Sequence, residues 1–212
     1  MGPYWNTSYS NKLGRLCQGI DVDPSNPSKQ RVKVTSTFHA ICYDNIPLDL
    51  QKEYIFQMFF AHFFPEKSDP NRTRITIAGQ NIKWPGVVGT KTASLDIPKL
   101  LLNSILSRKG SKFITFDIKI SYLQTPIDRP EYVRIKLADL PQDCINKYNL
   151  KYFVNANGSV YLEILNGVYD LSQSGALEKT LLEKRLTVHG ITSVPSHLGY
   201  GATLGAQLFF AC

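Results

Sequence analysis

A chain of 212 residues with 43% hydrophobic and 19% charged residues can bury a core, which excludes wholesale disorder. Its net charge of +7 and pI near 9.2 fit a surface that meets phosphate, although an ordinary basic protein has the same balance. Cys17, Cys42, Cys144 and Cys212 are scattered without metal-ligand spacing, which excludes a zinc module and reads as free thiols in a reducing compartment.

The opening Met1-Gly-Pro-Tyr-Trp-Asn does not read as a secretion signal, and the richest apolar run, Ile55 to Phe64, is too short to cross a bilayer. An intracellular protein, cytoplasmic or nuclear and without a membrane partner, is the expectation. Along the chain, Thr7-Ser8 can cap a short helix through Leu13, Leu16 and Cys17 that Gly19 ends. Asp21 to Gln30 reads as a loop. Val32, Val34, Ser36, Phe38, Ala40 and Cys42 alternate as in a half-buried strand from Arg31 to Tyr43. Asn45 to Lys52 reads as a turn and Tyr54 to Phe64 as one greasier strand. Glu66 to Asn71 turns into a short strand carrying Arg72 and Arg74 on one face.

A helix is predicted from about Ala93 to Ser107, burying Leu95, Leu101, Leu102, Ile105 and Leu106 and ending before Gly110. Phe113 to Lys119 and Tyr132 to Leu137 read as strands, the second pairing with Val160 to Leu165. Pro141 opens a short helix that ends near Asn149. Ser174 is the expected cap of a last helix with Leu177, Leu181, Leu182, Leu186 and Val188 as its stripe and Gly190 as its terminator. The expected product is an α+β fold with strands dominating the first third.

Four local features carry possible chemistry. Phe113-Ile-Thr-Phe-Asp117-Ile-Lys-Ile-Ser-Tyr122-Leu delivers an Asp to a strand end, with an aromatic five residues later. A carboxylate in that position projects into a cleft, where it can bind Mg²⁺; it can equally be a turn-forming Asp. Tyr122 can underlie a sugar or fill a core. Arg72 and Arg74 offer forks that grip a triphosphate, or they line a solvated edge strand. Gln173, between Ser172 and Ser174 in Gly167-Val-Tyr-Asp-Leu-Ser-Gln173-Ser-Gly175, can present its amide to a nucleotide or simply start a helix.

The order of these features, with Asn11-Lys-Leu-Gly-Arg-Leu-Cys-Gln-Gly19, Asn71-Arg-Thr-Arg74-Ile-Thr-Ile-Ala-Gly79 and Pro130-Glu-Tyr-Val-Arg-Ile-Lys-Leu137, resembles the reverse transcriptase of copia-type retrotransposons. The resemblance covers nearly the whole chain and is most specific in the palm. It implies a fingers-like region at 1–92, a partial palm at 93–196 and a tail at 197–212. It further implies Asp117 as catalytic carboxylate and Mg²⁺ ligand, Tyr122 as the gate against ribonucleotides, and Arg74 with Arg72 on the triphosphate. Gln173 would line the nucleotide pocket, and the partner would be an RNA/DNA template–primer duplex.

Several features depart from the family pattern. Asp170 stands where the family has Gly, Ser172 replaces Pro or Lys, and Ile120 replaces a small or polar residue. The family's adjacent Asp-Asp pair is missing: no two Asp are neighbours in this sequence. Polymerases hold two Mg²⁺ about 4 Å apart with several carboxylates, so a catalytically inactive remnant is the expectation. Read two bases out of frame with permitted codons, residues 197–212 can encode a peptide similar to the family's continuation, which makes an out-of-frame tail the expectation there. The alternatives are a non-catalytic nucleic-acid-binding domain and a plain structural α+β domain.

Overall fold

The computed structural model describes residues 3–20, 22–23, 26–30, 32–53, 55–56, 58–59, 62–63, 71–78, 82, 84–86, 88, 96–111, 113–114, 118–190, 192–193, 201–203 and 206–208. Helix α1 (Pro3–Leu16) buries Tyr9, Leu13 and Leu16, which lie on one side at helical spacing. Gly19 adopts φ +94, and its N–H bonds the Gly14 carbonyl at 2.9 Å, which ends the helix where expected. Strands β1 (Val22–Asp23) and β2 (Asn26–Gln30) then pair antiparallel, where the sequence pointed to a loop. Pro27 is tolerated because each strand of a two-stranded ribbon has a free edge.

Strand β3 (Phe38–Ile41) is shorter than the expected Arg31–Tyr43 run. The upstream backbone is committed elsewhere: Thr35 and Thr37 donate to the carbonyls of Arg15 and Leu16 at 2.8 and 2.6 Å. This satisfies orphan carbonyls at the end of α1 and fastens the helix to the sheet. The expected turn at Asn45–Lys52 is instead α2 (Leu48–Glu53), begun by Leu50 and Gln51 N–H groups bonding the Pro47 carbonyl.

The apolar run expected as one strand is divided among β4 (Ile55–Phe56), β5 (Met58–Phe59) and β6 (His62–Phe63). Each takes a different partner. β4 lies parallel to β10 (Pro126–Lys136). β5 and β6 run antiparallel to β8 (Thr76–Ile77) and β7 (Asn71–Arg72) respectively. The β6–β7 pairing agrees with the expected turn between them, although residues 64–70 lie outside the described set.

Helix α3 (Asp96–Leu106) forms within the expected range, but Leu102 and Leu106 are 42% and 84% exposed. Of the rest of the predicted stripe Ile105 is half-buried, while Leu95 and the Leu101 side chain lie outside the described set. After β9 (Phe113–Ile114) residues 115–117, with Asp117, lie outside the described set, and Lys119, expected at the end of the strand, lies in a turn with Ile120.

The centre of the protein is a sheet in the order β3-β11-β10-β4, with β11 (Ser159–Asn166) antiparallel to both β3 and β10. Tyr132 to Lys136 pair with Glu163 to Ser159 in unbroken register, as expected, and the register slips between Pro126 and Glu131. Helix α4 (Gln142–Lys147) follows Pro141 in the β10–β11 connection. Its Cys144 and Ile145 join Leu13, Leu16, Phe38, Val133, Val160 and Ile164 in one apolar cluster. The phenol of Tyr148 donates to the Gly19 carbonyl, tying the start and middle of the chain together.

Helix α5 (Ser174–Thr187) starts at Ser174, whose hydroxyl accepts the Val168 N–H at 3.0 Å rather than capping the helix. Leu177, Leu181, Leu182 and Leu186 are half-buried, and Val188, beyond the helix end, is 81% exposed rather than part of a stripe. Strands β12 (Thr192–Ser193), β13 (Gly201–Thr203) and β14 (Ala206–Leu208) complete a second sheet with β9, in which Leu208 pairs with Ile114. The fold is α+β.

Candidate functional site

Three segments singled out by their sequence meet at the end of the central sheet. The Tyr122–Gln124 turn is 3₁₀, closed by the Thr125 N–H on the Tyr122 carbonyl, and Thr125 in turn accepts the Gly167 N–H at 2.8 Å. The two loops lie so close that a Cβ on Gly167 would meet the Tyr122 carbonyl at 2.8 Å and the Ser174 hydroxyl at 3.0 Å. Only glycine fits there without moving backbone. Helix α5 braces the same turn: Ser121 donates to the buried Glu178 carboxylate at 2.6 Å.

This arrangement places Tyr169 edge-on to Tyr122, ring centroids 5.8 Å apart. Over the Tyr169 ring stand Arg74, 5.6 Å from the centroid, and Lys12 of α1, 5.5 Å away. A cation over a tyrosine face gains roughly 0.5–1 kcal/mol when exposed and more when desolvated. Ser8 fixes the approach of α1 to the Arg74 segment by accepting the Thr73 N–H at 3.0 Å and bonding its hydroxyl at 3.1 Å. Lys12 is held below the usual lysine range, first by burial and then by the charges of Arg15 and Arg74.

Gln173 sits one turn away and is fully buried. Its amide donates to Glu131 Oε1 at 3.1 Å, and the same oxygen accepts Arg129 Nη2 at 2.9 Å. The Arg129 guanidinium stacks 5.2 Å from the Trp84 ring centroid. Burial pushes the Glu131 carboxyl above the usual carboxylate range, against the opposing pull of Arg129 and Gln173. Among the described residues Glu131 Oε2 and Gln173 Oε1 are buried without a hydrogen-bond partner.

The structure thus brings Arg74 and Tyr122 to one ring, while Gln173 faces inward to a carboxylate. Arg72 lies in β7 opposite His62, and Asp117 lies outside the described residues. Among the described residues no group of three His, Cys, Asp or Glu side chains comes together, and Glu131 already serves Arg129 and Gln173. Two of the family departures fall on special backbone, with Ile120 at φ +56 and Asp170 at φ +66. Left-handed backbone favours glycine and disfavours β-branched side chains most, so these are positions where a small residue belongs.

Sequence reasoning missed Lys12, Tyr169 and the Arg129–Glu131–Trp84 set. The Arg-Pro-Glu spacing held a usable signal, because residues i and i+2 of a strand share a face. Tyr169 had none beyond its place in the Gly-rich loop. Comparison with protein-family models, with curated proteins and with solved structures returns no match. Among the described residues no helix is long and apolar enough to cross a membrane.

Proposed function

We propose that this chain is a reverse-transcriptase-like fingers and partial-palm unit, of the copia-type retrotransposon class, that holds an RNA/DNA template–primer duplex without carrying out DNA synthesis by itself. The observation that carries the reading is the convergence of three separate motif segments. The Asn71–Ile77 segment, the Tyr122–Gln124 turn and the Gly167–Gly175 loop meet at Arg74, Tyr122 and Tyr169. The left-handed backbone at Ile120 and Asp170 supports it, since these residues stand where the family pattern has small residues or glycine.

Binding in this reading is through phosphates and carries no base preference, in keeping with the net charge of +7. Synthesis fails because in-line phosphoryl transfer needs two caged Mg²⁺ ions. Of the carboxylates the family pattern assigns to that cage, the sequence carries Asp117 and no adjacent Asp pair. Filter binding of the purified chain to an RNA–DNA hybrid across a salt series tests the first half. Affinity that falls steeply between about 50 and 200 mM salt is expected, and no hybrid binding at low salt refutes it. Primer extension on an RNA template with Mg²⁺ or Mn²⁺ tests the second half, with no template-dependent product expected.

A further inference from the structure

The last turn of α1 carries cations that the duplex-holding reading does not use. Lys12 and Arg15 are three residues apart on one helix and so face the same way. Lys12 stands over the Tyr169 ring from one element and Arg74 from another. Arg15 is half-buried, and its Nε is buried without a hydrogen-bond partner among the described residues. Among the described residues the influences on the Lys12 charge are burial, Arg15 and Arg74, with no carboxylate. The negative end of the α1 dipole relieves only part of this repulsion, because the Arg15 and Leu16 carbonyls are already engaged by Thr35 and Thr37. With Lys12 and Arg74 over one ring and Arg15 on the same side of α1 as Lys12, these like charges form a site with an electrostatic deficit, and a multiply charged anion relieves it.

We infer that Lys12, Arg15 and Arg74 form a phosphoryl-anion site floored by the Tyr169 ring, in which α1 supplies two of the three charges. The ammonium gives a point charge, whereas the guanidinium groups give directed N–H donors suited to phosphate oxygens. Its ligand is a polyphosphate chain or successive backbone phosphates. The inference uses Arg74 and therefore rests on the proposed function only for where the phosphate comes from; the anion site itself does not depend on a polymerase origin.

The test is titration calorimetry of the full chain with tripolyphosphate, and in parallel with an RNA–DNA hybrid. Variants Lys12→Gln, Arg15→Gln and Arg74→Gln are compared with the charge-keeping Lys12→Arg, which guards against mere misfolding. Tripolyphosphate binding that weakens roughly tenfold in Lys12→Gln and in Arg15→Gln, and recovers in Lys12→Arg, supports a free polyphosphate ligand. Hybrid binding alone, with a salt slope lowered by about one for each charge removed, supports backbone phosphate as the ligand. If neither anion responds to Lys12→Gln or Arg15→Gln, the inference is overturned, even where Arg74→Gln weakens both and the duplex-holding reading stands. Lys12-dependent tripolyphosphate binding with no hybrid binding upholds the site and defeats the duplex-holding reading instead.

Discussion

Arg129→Met separates the charge of Arg129 from its bulk. Methionine can still lie against Trp84, so the main loss is the ion pair to Glu131, whose side chain is fully buried while that of Arg129 is 29% exposed. Burial already raises the Glu131 carboxyl above its ordinary 4.5, and Arg129 is the strongest influence pulling it down. A carboxyl with a raised folded-state pKa binds its proton more tightly when folded. Its contribution to stability is therefore full below about pH 4.5 and is lost as pH climbs through the raised value. Removing Arg129 pushes that value further up.

At pH 8 the variant must keep a charged carboxylate with only the Gln173 amide for company. Breaking a buried pair costs about 3–5 kcal/mol, and the partial exposure of Arg129 argues for the lower end, about 3. At pH 5 the carboxyl takes up a proton instead, and the loss shrinks towards that of one neutral hydrogen bond, about 1 kcal/mol. With a urea slope of about 2 kcal/mol/M, the midpoint deficit should be about 1 M larger at pH 8 than at pH 5. Urea titration followed by tryptophan fluorescence reads this directly, since Trp84 is the stacking partner. Equal deficits at both pH values would refute the reasoning. Restoring neutrality with Arg129→Met/Glu131→Gln should recover most of the pH 8 loss.

Two substitutions test the loop geometry. Asp170→Gly places the residue suited to φ +66 at an exposed position, and a gain of about 0.5–1 kcal/mol in stability by urea titration is expected; a loss would mean that the carboxylate makes a stabilising contact. Gly167→Ala drives a methyl into the Tyr122 carbonyl and should destabilise by about 1–3 kcal/mol, while Gly158→Ala, with open space around it, should lose only about 1. Equal losses from the two would show that the Gly167 contact is soft.

The parts of the fold legible in the sequence are those where local pattern and tertiary neighbour agree. The β10–β11 pair was readable because both runs are rich in β-branched and aromatic residues, buried on both faces, and the register runs unbroken from Tyr132 to Lys136. Helix ends at Gly19 and Gly190 were readable because both adopt positive φ. The run from Ile55 to Phe63 was not, because apolar character says that a segment pairs but not with which partner, and this one changes partner twice. Thr35 and Thr37 read as strand because nothing local reveals that the carbonyls of α1 claim their N–H groups. At the candidate site Arg74 and Tyr122 both lie against Tyr169, a residue that no sequence feature singled out. The inward turn of Gln173 depended on a buried Glu131 that composition marks as a surface residue.

The bond from Tyr148 to Gly19 joins positions 129 apart in sequence. On a ribosome adding about 5–20 residues per second, the segment holding Leu13 and Leu16 waits roughly 6–26 seconds for this partner to be synthesised. Through that interval Leu13 and Leu16 have only earlier-made partners such as Phe38, Ile75 and Ile77 to cover them, without Cys144 and Ile145 of α4. Newly made chains should therefore lean on holdase chaperones, and slow translation of the middle of the message should lower soluble yield without altering the finished protein.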